Sequence, residues 1–69
     1  MPESIKNQVN ALRLKSNIRQ EDLAKVVGVT RQTIIAIEHG NYVPSVLLAI
    51  KIAQYFKQPV EKVFQIKNI

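Results

Sequence analysis

Residues 20–40, QEDLAKVVGVTRQTIIAIEHG, hold two short amphipathic segments with only Gly28-Val29-Thr30 between them. So short a link makes two helices meet near a right angle and leaves the second projecting. Leu23, Ala24 and Val27 form the apolar face of the first helix, and Ile34 and Ile37 that of the second. Ala24 is small where the helices cross, Val29 fills the angle, and Gly28 accepts the positive φ of a sharp turn. The first helix is expected over Gln20–Val27, with Glu21 and Asp22 in its first turn, where the helix dipole favours anions. Thr30 suits the N-cap of the second, about Arg31 to His39, and Gly40 stops it. An ordinary helical hairpin is the bland alternative, and four constrained positions at this spacing weigh against it.

Elsewhere, Ile5, Val9 and Leu12 stand at i, i+4, i+7 and predict an earlier helix ending near Lys15-Ser16-Asn17. Its cap is Ser4 if it begins early or Asn7 if it begins late. Ser45 caps a fourth helix running to about Phe56. That helix is apolar on nearly all sides, so it is either central or partly covered by a partner. Pro59 suits the first position of a fifth helix reaching about Phe64. The tail Gln65–Ile69 alternates polar and apolar residues, the pattern of a short strand, and Ser4-Ile5-Lys6 is its one intramolecular partner of similar character.

Sixty-nine residues make one domain, 1–69. The chain has no cysteine and one histidine, so neither disulfides nor a metal site are expected, and no cofactor is implied. Ten Lys and Arg against five Asp and Glu give a net charge of +5, which favours a polyanionic partner. No apolar run approaches the ~20 residues that span a bilayer, and the first residues lack a secretory pattern. A cytoplasmic location is expected. No nucleophile–base pair or carboxylate pair suggests an enzyme, and no small-molecule substrate is evident.

The chain resembles the lambda-repressor-like (Cro and xenobiotic-response-element type) helix-turn-helix family in its minimal form. Leu12-Arg13, Gln20, Leu23-Ala24, Gly28-Val29, Gln32-Thr33-Ile34, Ile37-Glu38, Gly40, Pro44-Ser45 and Phe64 stand where the family pattern places such residues. The resemblance implies an all-α, compact five-helix DNA-binding domain, with an antiparallel strand pair joining the termini as the open addition. The motif spans about 20–39, with the helix from about 31 to 39 in the major groove of double-stranded DNA.

On that resemblance Arg31, Gln32, Thr33, Ile35 and Ala36 are expected at base edges. A glutamine amide pairs with adenine, and Ile35, usually polar in the family, suits a thymine methyl. Arg31 fits either a guanine or a phosphate. Arg19, Gln20, Thr30, Asn41 and Tyr42 are expected at phosphates, with Lys15 a weaker candidate. Arg19 replaces the family's Thr or Ser cap, which forgoes a side-chain cap at a cost of about 1 kcal/mol. Arg13 and Glu38 are expected to form a structural ion pair. The expected role is a regulator, a repressor in the first instance, bound as a homodimer through Leu47, Ile50, Ile66 and Ile69. An antitoxin-like or pure protein-interaction module on the same fold is the alternative.

Overall fold

The structure, a computed structural model, describes residues 3–68. In chain order the elements are β1 (Glu3–Asn7), α1 (Val9–Lys15), α2 (Gln20–Val27), α3 (Arg31–Glu38), α4 (Val46–Tyr55), α5 (Val60–Val63) and β2 (Phe64–Asn68). The two strands pair antiparallel with Ile5 opposite Ile66, so five helices and one terminal ribbon form the domain. The ribbon is the pairing that the tail's alternation predicts. It also corrects the reading of Ile5, which lies in β1 and not in a first helix. Its spacing from Val9 and Leu12 is accidental, because the strand alternation of Ser4, Ile5 and Lys6 decides its direction.

Helix starts are set by side chains. Ser45 Oγ accepts from the Leu48 amide at 3.1 Å, and Thr30 Oγ1 accepts from the Thr33 amide at 3.3 Å. At α1 the start is late, but the N-cap is Gln8 and not the expected Asn7; Asn7, one residue earlier at the end of β1, accepts at Oδ1 from the Val9 amide at 3.1 Å. Arginine has no acceptor and cannot cap a helix with its side chain. At α2 the reverse half of the device is present instead. Asp22 reaches back, and its carboxylate accepts from the Arg19 backbone amide at 3.1 Å and from the Arg19 guanidinium at 3.1 and 3.3 Å.

Four helix ends are closed by a left-handed residue: Asn17 (φ 61°), Gly28 (79°), Gly40 (79°) and Lys57 (57°). The residue after each donates back into the last turn, Ile18 to Arg13, Val29 to Ala24, Asn41 to Ala36 and Gln58 to Ala53, at 2.9–3.2 Å. These bonds satisfy carbonyls that a helix end otherwise leaves orphaned. The same turns shorten two expected helices, so that α3 ends at Glu38 and α4 at Tyr55. Pro59 is the N-cap of α5, not its first helical residue, and Phe64 belongs to β2.

One core joins all five helices, with Val9, Leu23, Ile34, Ile37, Ile52 and Val63 completely buried. Ala24 is also buried, and Val29 is half-buried against the same cluster. The structure makes α4 one-sided and not central: Leu48, Ile52 and Ala53 are buried, while Val46 (76% exposed) and Leu47 (66%) are open on the other side. Among the described residues no helix is long and apolar enough to cross a membrane.

Candidate nucleic-acid interface

The burial of Ile34 and Ile37 fixes how α3 is rotated. At about 100° per residue, Gln32 falls roughly 170° from the midline of that pair, on the outermost line of the helix. Ile35 and Ala36 flank that line at roughly 130° to either side, while Arg31 and Thr33 turn further back, one on each flank. The surface agrees: Arg31 and Gln32 are exposed, and Thr33, Ile35 and Ala36 are half-buried. The expected freely exposed turn at Ile35 and Ala36 is therefore corrected to a partly covered one. Their positions beside, not opposite, the core-facing pair are the reason.

Each flank of α3 borders a polar concavity. On one side Arg31 lines a hollow with Arg13, Arg19, Gln20 and Glu21 at the start of α2. On the other, Thr33 lines a hollow with Tyr42, Ser45, Leu47 and Lys51, bounded by Gly28 and the start of α4. Lys51 and Ser45 are additions to the residues anticipated from the sequence. Lys51 reads there only as a polar interruption of an apolar helix, and it reaches this hollow because α4 packs beside the turn at Gly28. An added Cβ on that glycine would lie 4.0 Å from Lys51 Nζ.

The remaining expected contacts divide by what already holds them. Asn41 and Tyr42 are exposed. Thr30 is exposed, but its hydroxyl caps α3 and lies 3.2 Å from the Thr33 hydroxyl, so the two side chains are tied together. Gln20 is half-buried and donates from Nε2 to Glu38 Oε1 at 3.1 Å, which leaves the second hydrogen of its amide group. The Arg19 side chain is exposed, yet its guanidinium folds back on Asp22 and lies 3.7 Å from Glu21. The Asp22 carboxyl accordingly sits below its usual range, chiefly through the hydrogen bond from the Arg19 side chain.

Behind this surface lies the expected ion pair. Arg13 Nε is 2.7 Å from Glu38 Oε2, and the side chains are 10% and 3% exposed. A second guanidinium nitrogen reaches Glu38 Oε1 at 3.1 Å, and a third donates to the Ile18 carbonyl at 3.0 Å. Asn10 Nδ2 adds another bond to Glu38 Oε1 at 3.0 Å, and Asn7 Nδ2 donates to the Ile37 carbonyl at 2.9 Å. Burial alone raises the Glu38 carboxyl, but hydrogen bonds from Arg13, Asn10 and Gln20, with the charge of Arg13, outweigh it and hold the group below its ordinary value. The end of α3 is thus anchored to α1, α2 and β1 by side chains. Asn7 and Asn10 complete an anchor of which only Arg13 and Glu38 are evident from spacing.

An apolar surface borders the second hollow, where Leu47 lies with Thr33. Leu47, Ile50 and Ile66 are exposed, and Val43 and Val46 are exposed beside them. Between the ribbon and α4 runs an apolar groove lined by Ile5, Val43, Pro44, Val46, Ala49 and Phe64. Ile69 lies outside the described residues.

A family model described as helix-turn-helix matches residues 9–63. Two relatives, both named uncharacterized HTH-type transcriptional regulators, cover most of the chain. YgzD of Bacillus subtilis is 51% identical over 64 residues, 93% of this chain and 97% of its own. MJ0272 of Methanocaldococcus jannaschii is 53% identical over 60 residues, 87% and 91% of the respective chains. Among solved structures, the restriction-modification controller protein C.AhdI of Aeromonas hydrophila superposes with a TM-score of 0.74 at 24% identity, over 80% of this chain and 83% of its own. The transcriptional regulator VanUg gives 0.77 at 14% identity, over 100% and 92%. At those identities the two structures speak for the fold.

Proposed function

The chain belongs to the helix-turn-helix family, and from that membership we propose that it is a sequence-specific, double-stranded DNA-binding transcriptional regulator. The observation that carries the reading is the exposure of Gln32 on the outermost line of α3, opposite the buried Ile34 and Ile37, with a basic or polar hollow on either flank. A helix presented in this way enters a major groove, and the two hollows then face the phosphates of the two strands that border it. Gln32 reads a base edge, adenine by bidentate pairing. Ile35 and Ala36, half-covered, offer only their outer atoms to thymine methyls.

Arg31 turns toward the hollow at the start of α2, shared with Arg13 and Gln20. We assign it to a phosphate and not to guanine. Gln20, through its remaining amide hydrogen, and the free N–H groups of that helix end serve the same phosphate. Asn41, Tyr42 and Lys51 serve the opposite strand. Arg19 contributes less than its charge suggests, because Asp22 and Glu21 already hold it.

The proposed binding unit is a homodimer. The apolar surface comprises Leu47, Ile50 and Ile66, joined by Val43 and Val46; none of them lines the phosphate hollow of α2, and Leu47 sits where the surface borders the hollow of Thr33 and Lys51. A second copy of the same surface covers it by twofold symmetry, in which ridge and groove are mutually complementary. Two recognition helices then reach half-sites about 34 Å apart. Repression is the proposed output, since occupancy of a promoter needs no surface beyond the DNA-binding face.

The test is binding of the chain to labelled duplex DNA across a range of potassium chloride concentrations. Affinity falling steeply and linearly with the logarithm of salt is expected, because each neutralised phosphate releases counterions. No binding to any duplex at low salt overturns the reading and leaves the protein-interaction alternative.

A further inference from the structure

His39 follows Gln32 by seven residues, so it lies within about 20° of the same outermost line of α3, roughly 10 Å further along the helix. It keeps helical backbone angles (φ −82°, ψ −6°) and is exposed, so the line is continuous. A B-form major groove is about 12 Å wide. A residue that far from one reading the groove floor stands near the groove's edge, where the next phosphates are.

At that point α3 meets the ribbon. Strand alternation places Ile5 and Ile66 on one face and Ser4, Lys6, Gln65 and Lys67 on the other, with Ser4 opposite Lys67 and Lys6 opposite Gln65. Lys6, Lys67, Ser4 and Asn7 line a polar concavity with His39 and Gly40. Glu38 and Ile5 complete its wall, and the Glu38 carboxylate is already held by Arg13 and two amides. No ion pair among the described residues engages Lys6 or Lys67.

We propose that this polar face of the ribbon is a second backbone contact, in which Lys6 and Lys67 neutralise phosphates of the same duplex beyond the end of α3. The inference rests on the DNA-binding reading above and extends it to a part of the chain outside residues 9–63. The bland account of the two lysines is protection of an edge strand from pairing with another chain. It predicts no change in DNA binding on their removal.

The experiment measures Kd by fluorescence anisotropy for a duplex selected by the wild-type chain, over a series of potassium chloride concentrations. Lys6→Gln/Lys67→Gln is compared with Lys57→Gln/Lys62→Gln, which removes the same charge from residues that do not line the concavity. The first variant should bind more weakly, with the slope of log affinity against log salt shallower by about 1.8 per bound copy, at roughly 0.9 per phosphate. Its base preference should be unchanged, and the second variant should keep the wild-type slope. A wild-type slope in the first variant overturns the inference, as does an equal loss in both, which is a net-charge effect. Failure of the wild-type chain to bind duplex at all overturns the reading beneath it. Urea midpoints of both variants, expected to match the wild type, separate lost contacts from lost folding.

Discussion

Arg13 presents Nε and a terminal nitrogen side-on to the Glu38 carboxylate, at 2.7 and 3.1 Å, and so fastens the last residue of α3 to the last turn of α1. Both side chains are nearly out of water, while the hydrophobic core beside them is small. In a domain of this size the net stability is only several kcal/mol. A buried pair that loses one member leaves the other as an uncompensated charge, which dominates the cost.

Arg13→Met should therefore destabilise the fold by about 3 kcal/mol, read as a lower urea midpoint at unchanged slope. Arg13→Met/Glu38→Gln should recover a good part of that loss, since a neutral amide is far cheaper to bury than a carboxylate. A double variant less stable than the single one contradicts this account of the pair.

The same carboxylate makes stability pH-dependent. Glu38 and Asp22 both lie below their ordinary pKa in the folded chain. Their contributions are complete above the unfolded carboxylate values, near pH 4, and are lost as pH falls through the lower folded values. Urea midpoints should be flat from pH 7 to 5 and drop steeply below about pH 4. In Glu38→Gln the midpoint should start lower and fall less over the acid range.

Two helix stops should respond in opposite directions to substitution. Gly28 has φ 79° with only ordinary contact distance around an added Cβ, so Gly28→Ala costs torsional strain of about 1 kcal/mol. Lys57 holds φ 57° with a full side chain. Lys57→Gly removes that strain and restores some freedom to the unfolded chain, for a net gain of about 0.5 kcal/mol. Thermal midpoints that move the same way for both contradict the backbone argument.

Leu47→Lys and Ile66→Lys place a charge in the exposed apolar surface without disturbing the buried cluster. Sedimentation should show the wild-type chain as a dimer at micromolar concentration and each variant shifted to monomer, with unchanged helicity by circular dichroism. A wild-type chain that stays monomeric with and without DNA defeats the proposed interface.

Much of this architecture is local and so was visible in the residues. Ser45 and Thr30 cap because they precede apolar periodicity, Gly28 and Gly40 stop helices because they tolerate positive φ, and the tail's alternation made β2 visible. What escaped is partly local and partly decided at a distance. Lys57 ends α4 without being glycine, Asp22 caps on behalf of an arginine that cannot, and Lys51 gains its place from the packing of α4 beside Gly28. Ile5 satisfies a helical spacing and a strand alternation at once, and pairing with Ile66 settles which one holds. In the interface, the rotation of α3 follows from Ile34 and Ile37 alone. The side on which Arg31 lies depends on where α2 begins.

The claim that Gln32 is the residue through which the protein reads bases is tested most directly by selection from a random duplex pool, run in parallel with the wild-type chain, Gln32→Ala and Arg31→Gln. The account predicts that Gln32→Ala relaxes the preference at one position of each half-site, at a cost of about 1–3 kcal/mol against the preferred base pair. Arg31→Gln should weaken binding uniformly and leave the selected sequence as it was. An unaltered preference in Gln32→Ala, or an altered one in Arg31→Gln alone, contradicts it.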